Sequence, residues 1–462
     1  MLRKLYLLLV IVAFPAGNPA LAQQADVPAS DAEVLVRSIF MQDTSVRAAA
    51  LRRMELRGKP DVIPGLIRYL RYSYDTAAVL KTLETLTGAK PGPKWEDWML
   101  WQEAHPEIEA FEGHDGFVAD RMARIDENFR VFLQRGVKHE IRLEEIAWGG
   151  VVKDGIPALT NPKLIDPKDA DYLKPDELVF GVSIAGDSRA YPLRFLDWHE
   201  MFNDVIGGKP VSLAYCTLCG SGILFETAVE GREKPFVFGS SGFLYRSNKL
   251  MYDTETNSLW NQFTGRPVVG PLTGSGIELK ILPVVITRWD KWYASHPDTK
   301  VMSEETGYYR DYRPGRPYGE YFASPDLMFP ALVRDKRLAP KDYVFALRVR
   351  DTDGQWVEKA WSLKQFEGFG VINDRIGSQR IVLIGDADSR TVRAYDAADR
   401  TFSAAPGDRS KLRSGADEWT VTEEVLAGPG RRTLNRLPGH IAYWFAWQGY
   451  KPKAAFGGAP AR

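Results

Sequence analysis

The chain has 462 residues with 44% hydrophobic and 12% aromatic side chains, enough for a sizeable core and, by length, two or three domains. Sixty basic side chains balance sixty acidic ones, which excludes the strongly basic footprint of a nucleic-acid-binding protein.

Residues 1–22, MLRKLYLLLVIVAFPAGNPALA, combine Arg3 and Lys4 with an apolar run from Leu5 to Phe14 and small residues at Ala20 and Ala22. This order is that of a secretory leader cleaved after Ala22. The run is too short to cross a bilayer, and no later run of about 18 apolar residues follows. The expected mature chain is soluble, periplasmic or secreted, with no integral membrane span.

From 31 to 110 the periodicity is helical, with segments at 31–41, 45–56, 61–72, 76–86 and 95–104. Val62, Leu66, Ile67 and Leu70 recur at helical spacing, with Thr44 and Asp61 as caps. Short paired helices make this a small HEAT-like module, and a surface for a protein partner is its expected use. Residues 111–144 read as a helical connector with one more helix at 119–133.

After Glu140 the texture changes to short runs such as LVFGVSI, SRAYPL, VSLAY, GILFETAV and PFVFG, separated by Gly, Pro, Asp and Asn. The fold class expected is α+β: a mainly antiparallel β domain of sandwich or barrel type over 145–450, preceded by the helical module. The tract 308–321, YYRDYRPGRPYGEY, reads as an ordered loop pressed against that domain. Strands resume in FALRVRD, RIVLIGD and TVRAYD, the last two as one hairpin. Residues 451–462 read as a frayed tail. Ser241, Asn248, Asp253, Ser258 and Gln262 admit two readings, as lining of a pocket or as ordinary turn residues.

The chemistry concentrates at residues 215–222, YCTLCGSG, which hold Cys216 and Cys219, the only cysteines. A disulfide across two intervening residues closes too small a loop to restrict so long a chain much, so a purely structural staple explains little. A strand, VSLAY, ends here in a turn eased by Gly220 and Gly222. Two sulfurs converging on one point suit a metal, and His199 in DWHEMFND completes a Cys2His set with one open position. Copper or zinc is the metal expected. His440 is a further candidate ligand, and Met251 is either a thioether donor or a core filler. Glu200 and Asp204 stand as proton carriers for a small substrate at such a centre. His105, His114, His139 and His296 read as surface residues. The competing readings are a periplasmic thiol–disulfide oxidoreductase using Cys216 and Cys219, and a non-catalytic binding protein that holds and hands on metal. A thioredoxin-like frame is disfavoured, because glycines and a strand follow the second cysteine. No GxSxG elbow supports a serine hydrolase.

The order GIPAL, SRAYPLRFLDWHEMFND, YCTLCGSG, FGSSGFLYRSN, MYDTETNSLWNQFTG, PDTKV and LPGHIAYWFAW resembles the uncharacterised bacterial DUF3179 family over about residues 145–450. The family's usual motifs are YCPLCG and WHEIVND, so Thr217 stands in place of proline, and Met201 and Phe202 in place of smaller aliphatics. The resemblance implies an exported or membrane-associated protein and supplies no mechanism.

Overall fold

The structure is a computed structural model and describes residues 30–458. The expected leader at 1–22 lies outside the described residues. The helical region forms much as its periodicity predicts, in helices Asp31–Ile39, Thr44–Arg57, Ile63–Tyr72, Ala77–Thr87 and Trp95–Glu103. The second helix is capped by Asp43, whose carboxylate accepts from the Ser45 and Val46 amides, and Thr44 is its first residue. Asp61 is no cap either, since its carboxylate pairs with Arg57. The helix expected over 119–133 divides into His114–Ala123 and a 3-10 turn, Glu127–Val131. Asp126 causes the break, because its side chain accepts from the Asn128 amide and starts the new turn.

The apolar faces of these helices share one core with a five-stranded antiparallel sheet. Val36, Leu66 and Trp98 belong to the same buried cluster as Phe243, Leu250 and Val269. That sheet runs in the order Ile146–Trp148, Phe238–Tyr245, Asn248–Asp253, Leu259–Asn261 and Arg266–Val269. A second sheet holds Lys280–Leu282, Ser221–Glu226, Lys209–Cys216, Met201–Ile206 and Leu159–Thr160. A third contains Val285–Arg288, Leu178–Ile184 and Asp187–Pro192, and a fourth Tyr343–Arg350 between His440–Tyr443 and Trp356–Ser362.

The expected hairpin of Gln379–Asp386 and Thr391–Asp396 lies in an eight-stranded sheet. Its end strands, Gly370–Ile376 and Ser403–Ala405, lie beside each other, so the sheet nearly closes into a barrel. The α+β class, with mainly antiparallel sheets behind N-terminal helices, is thus observed. The described part of the expected tail, residues 451–458, is anchored to the domain. Ala455–Phe456 pairs in parallel with Lys359–Ala360, and the Phe456 ring packs edge-on to Trp444 at 5.2 Å. Among the described residues no helix is long and apolar enough to cross a membrane.

Candidate functional site

Strand Lys209–Cys216 pairs on one side with Met201–Ile206 and on the other with Ser221–Glu226, so the WHEMFND and YCTLCGSG motifs lie on neighbouring strands. The strand ends in a 3-10 turn, Thr217–Cys219, closed by Gly220 at φ 58°. Glycine is needed there twice over. The backbone is left-handed, and a Cβ would stand 3.0 Å from the Tyr343 ring and 3.2 Å from that of Tyr443. At Gly222 a Cβ would enter the ring of Phe180.

Within this turn Cys216 and Cys219 are bonded to each other, their Cα atoms 5.2 Å apart. Both are buried. Cys219 Sγ lies 2.6 Å from the Ser247 carbonyl oxygen. The hairpin tip Arg246–Ser247, with φ of 48° and 63°, presents that carbonyl, and Asn248 beside it donates to Ser221 Oγ at 3.2 Å. Gln262 donates to the carbonyls of Ala214 and Ser221 at 2.6 and 2.9 Å, so the turn is held from below as well. Asn248 and Gln262 therefore brace the cysteine turn. Ser241, Asp253 and Ser258 are buried in their own hairpins, Asp253 taking bonds from the Thr256 amide and the Trp260 indole. Met251 is a core filler in the same buried cluster as both cysteines.

His199 does not join the sulfurs. It ends the short helix Leu193–His199, fully buried, and both ring nitrogens have partners. Nδ1 donates to the Pro157 carbonyl at 2.8 Å, and Nε2 accepts from the Tyr312 hydroxyl at 2.5 Å. Burial lowers its pKa and keeps the ring neutral. His440 faces Phe263 and Trp447, its Nε2 buried without a partner, and burial with the Arg348 charge lowers its pKa to about 3. Among the described residues no three His, Cys, Asp or Glu side chains form a group able to hold a metal. The Cys2His set drawn from the sequence is thus not assembled, because the imidazole is committed to a tyrosine and a carbonyl and the sulfurs to each other.

The two expected proton carriers are also engaged. Glu200, left-handed at φ 54°, pairs with Lys249 and takes a 3.4 Å bond from Ser240. Asp204 accepts from Arg189 at 2.9 Å and from the Tyr191 hydroxyl at 2.6 Å. A carboxyl that motif reading passed over behaves differently. Asp197 is buried, with Oδ1 unpartnered, and burial holds its pKa well above the ordinary range despite Arg390 and the Tyr215 hydroxyl. Its signal was its place at the head of DWHEMFND.

The tract 308–321 lies against the domain, as its composition predicts. Tyr312 meets His199, the Asp311 carbonyl accepts from the Trp198 indole at 2.7 Å, and Tyr321 donates to the Leu218 carbonyl inside the cysteine turn at 2.7 Å. These tyrosines complete the surroundings of the site, together with the Tyr343–Tyr443 hydroxyl pair at 3.0 Å. One of the histidines expected at the surface is not there, and another is half-buried. His114 is buried against Phe111 and Phe117, and His296 stacks on Trp292.

No curated protein and no solved structure matches the chain significantly. Residues 153–454 match a family described as Protein of unknown function (DUF3179), a span that contains the cysteine turn, His199 and His440. The match covers well over half of the chain, which therefore belongs to the DUF3179 family.

Proposed function

We propose that Cys216 and Cys219 form a thiol–disulfide redox centre for a small thiol. The observation that carries this reading is the sulfur–sulfur bond inside a three-residue turn whose backbone is braced by Asn248, Gln262 and Tyr321. So small a ring constrains the unfolded chain little, which weakens a stabilising role. An exported location, expected from residues 1–22, would supply an oxidising compartment.

Reduction runs as two exchanges. A thiolate attacks Cys216 Sγ, forming a mixed disulfide, and the electron pair of the broken bond leaves on Cys219. Cys219 takes a proton, and the thiol donates to the Ser247 carbonyl, the acceptor already beside it. A second thiolate attacks the bound one, and an oxidised disulfide product departs while Cys216 takes a proton. Burial of both sulfurs favours a small thiol over a folded protein substrate.

The test is the reduction rate of the native pair by a small dithiol, compared with the rate in denaturant. Reduction of the folded protein without unfolding supports the centre. A pair that reduces only after global unfolding rules it out.

A further inference from the structure

A second opening lies apart from the cysteine turn. There the short helix Trp289–Ser295 and strand Val285–Arg288 meet strands Gln379–Asp386 and Thr391–Asp396 of the eight-stranded sheet. It encloses about 690 Å³, in the range of small-molecule sites.

Its floor is a row of buried hydroxyls. Ser389 Oγ lies 2.8 Å from Thr391 Oγ1, which donates to Thr287 Oγ1 at 2.9 Å. Each hydroxyl has one proton and two lone pairs, so the row keeps acceptor capacity after these bonds. The rim is cationic. Lys291 and Arg409 share the one carboxylate of Asp386. Deeper in the wall Glu423 is likewise divided, between Arg393 and Arg436. Each carboxylate thus serves two cations, and positive charge is in excess. His296 Nδ1 lies 3.2 Å from the Trp292 carbonyl, which places its proton there and leaves Nε2 as an acceptor on the cavity wall.

We propose that this cleft binds a small hydroxylated carboxylate of the sugar-acid class. The ligand's carboxylate takes the N–H donors of Lys291 and Arg409 that Asp386 leaves free, where charge-assisted bonds are strongest. The ligand's hydroxyls bond to the Ser389–Thr391–Thr287 row and to His296 Nε2. A neutral sugar lacks the charge that the rim selects, and a simple carboxylate lacks the hydroxyls that the floor selects. The site is independent of the cysteine pair.

The test is calorimetric titration of the full chain at low ionic strength with D-glucuronate, D-glucose, acetate and inorganic phosphate. Glucuronate is expected to saturate one site, with glucose, acetate and phosphate weaker by about tenfold or more. Arg409→Ala and Lys291→Ala are each expected to weaken glucuronate by about tenfold or more. Both side chains are well exposed, at 61% and 41%, so an unchanged melting temperature is expected to show that the variants fold. Absence of glucuronate binding overturns the proposal. So does equal binding of glucose, acetate or phosphate, and so does binding unaffected by both substitutions.

Discussion

Cys219 Sγ and the Ser247 carbonyl oxygen stand 2.6 Å apart, joining the cysteine turn to the tip of a hairpin from another sheet. Next along the chain, Asn248 bonds to Ser221 Oγ, so two adjacent hairpin residues grip the two ends of CGS. Asn248→Ala removes that grip and is expected to destabilise the fold by about 1 to 2 kcal/mol in chemical denaturation. The reduced form should also become more accessible to alkylation. Unchanged stability and unchanged accessibility would show that the hairpin tip does not brace the turn.

Thr217 occupies the position where the family motif carries proline. Its hydroxyl is buried with no hydrogen-bond partner. Cys216 before it is extended at φ −97° and ψ 99°, away from the helical region that a following proline disfavours, and Thr217 is the first residue of the 3-10 turn. Thr217→Pro is therefore expected to stabilise the protein by about 1 kcal/mol, through a stiffer unfolded chain and loss of an unsatisfied hydroxyl. A lower melting temperature would contradict this account of the turn.

The two glycines of the motif are predicted to fail in different ways. Gly220→Ala forces a side chain into a left-handed position against Tyr343 and should cost about 1 to 3 kcal/mol. Gly222→Ala instead collides with the Phe180 ring, and Phe180→Ala in the same chain should recover part of that loss. Denaturant midpoints of the single and double variants measure both effects, and additive losses at positions 222 and 180 would refute the collision.

Asp197 gives the stability a pH signature. Its folded pKa lies well above the ordinary carboxylate value, so the native chain keeps a proton that the unfolded chain releases above about pH 4. The group's contribution is complete below that pH and is lost as pH rises through the folded pKa. Asp197→Asn, which resembles the protonated carboxyl, should be more stable than the parent near neutral pH and equal to it near about pH 4. Parallel stability curves for the two chains would mean that Asp197 is not held protonated.

Much of the architecture was legible because its signals are local. The helix Ile63–Tyr72 follows from the spacing of Leu66, Ile67 and Leu70, and the glycines after Cys219 mark the turn. The metal centre misled for the opposite reason. A lone imidazole near a CxxC motif reads as a ligand, but the partners that claim His199 are Pro157, 42 positions before it, and Tyr312, 113 positions after it. Only the packing of the 308–321 tract against the helix Leu193–His199 brings Tyr312 there. His114 was missed likewise, since the aromatic rings that bury it form part of a core shared between helices and a sheet.

The most direct measurement is equilibration of the protein in graded thiol–disulfide buffers, with thiol trapping and mass detection of the Cys216–Cys219 pair. A redox centre predicts a reversible two-electron transition with a potential between about −120 and −300 mV, lost in Cys216→Ser. A pair that stays oxidised beyond that range, or that never re-forms its bond after reduction, would contradict the account.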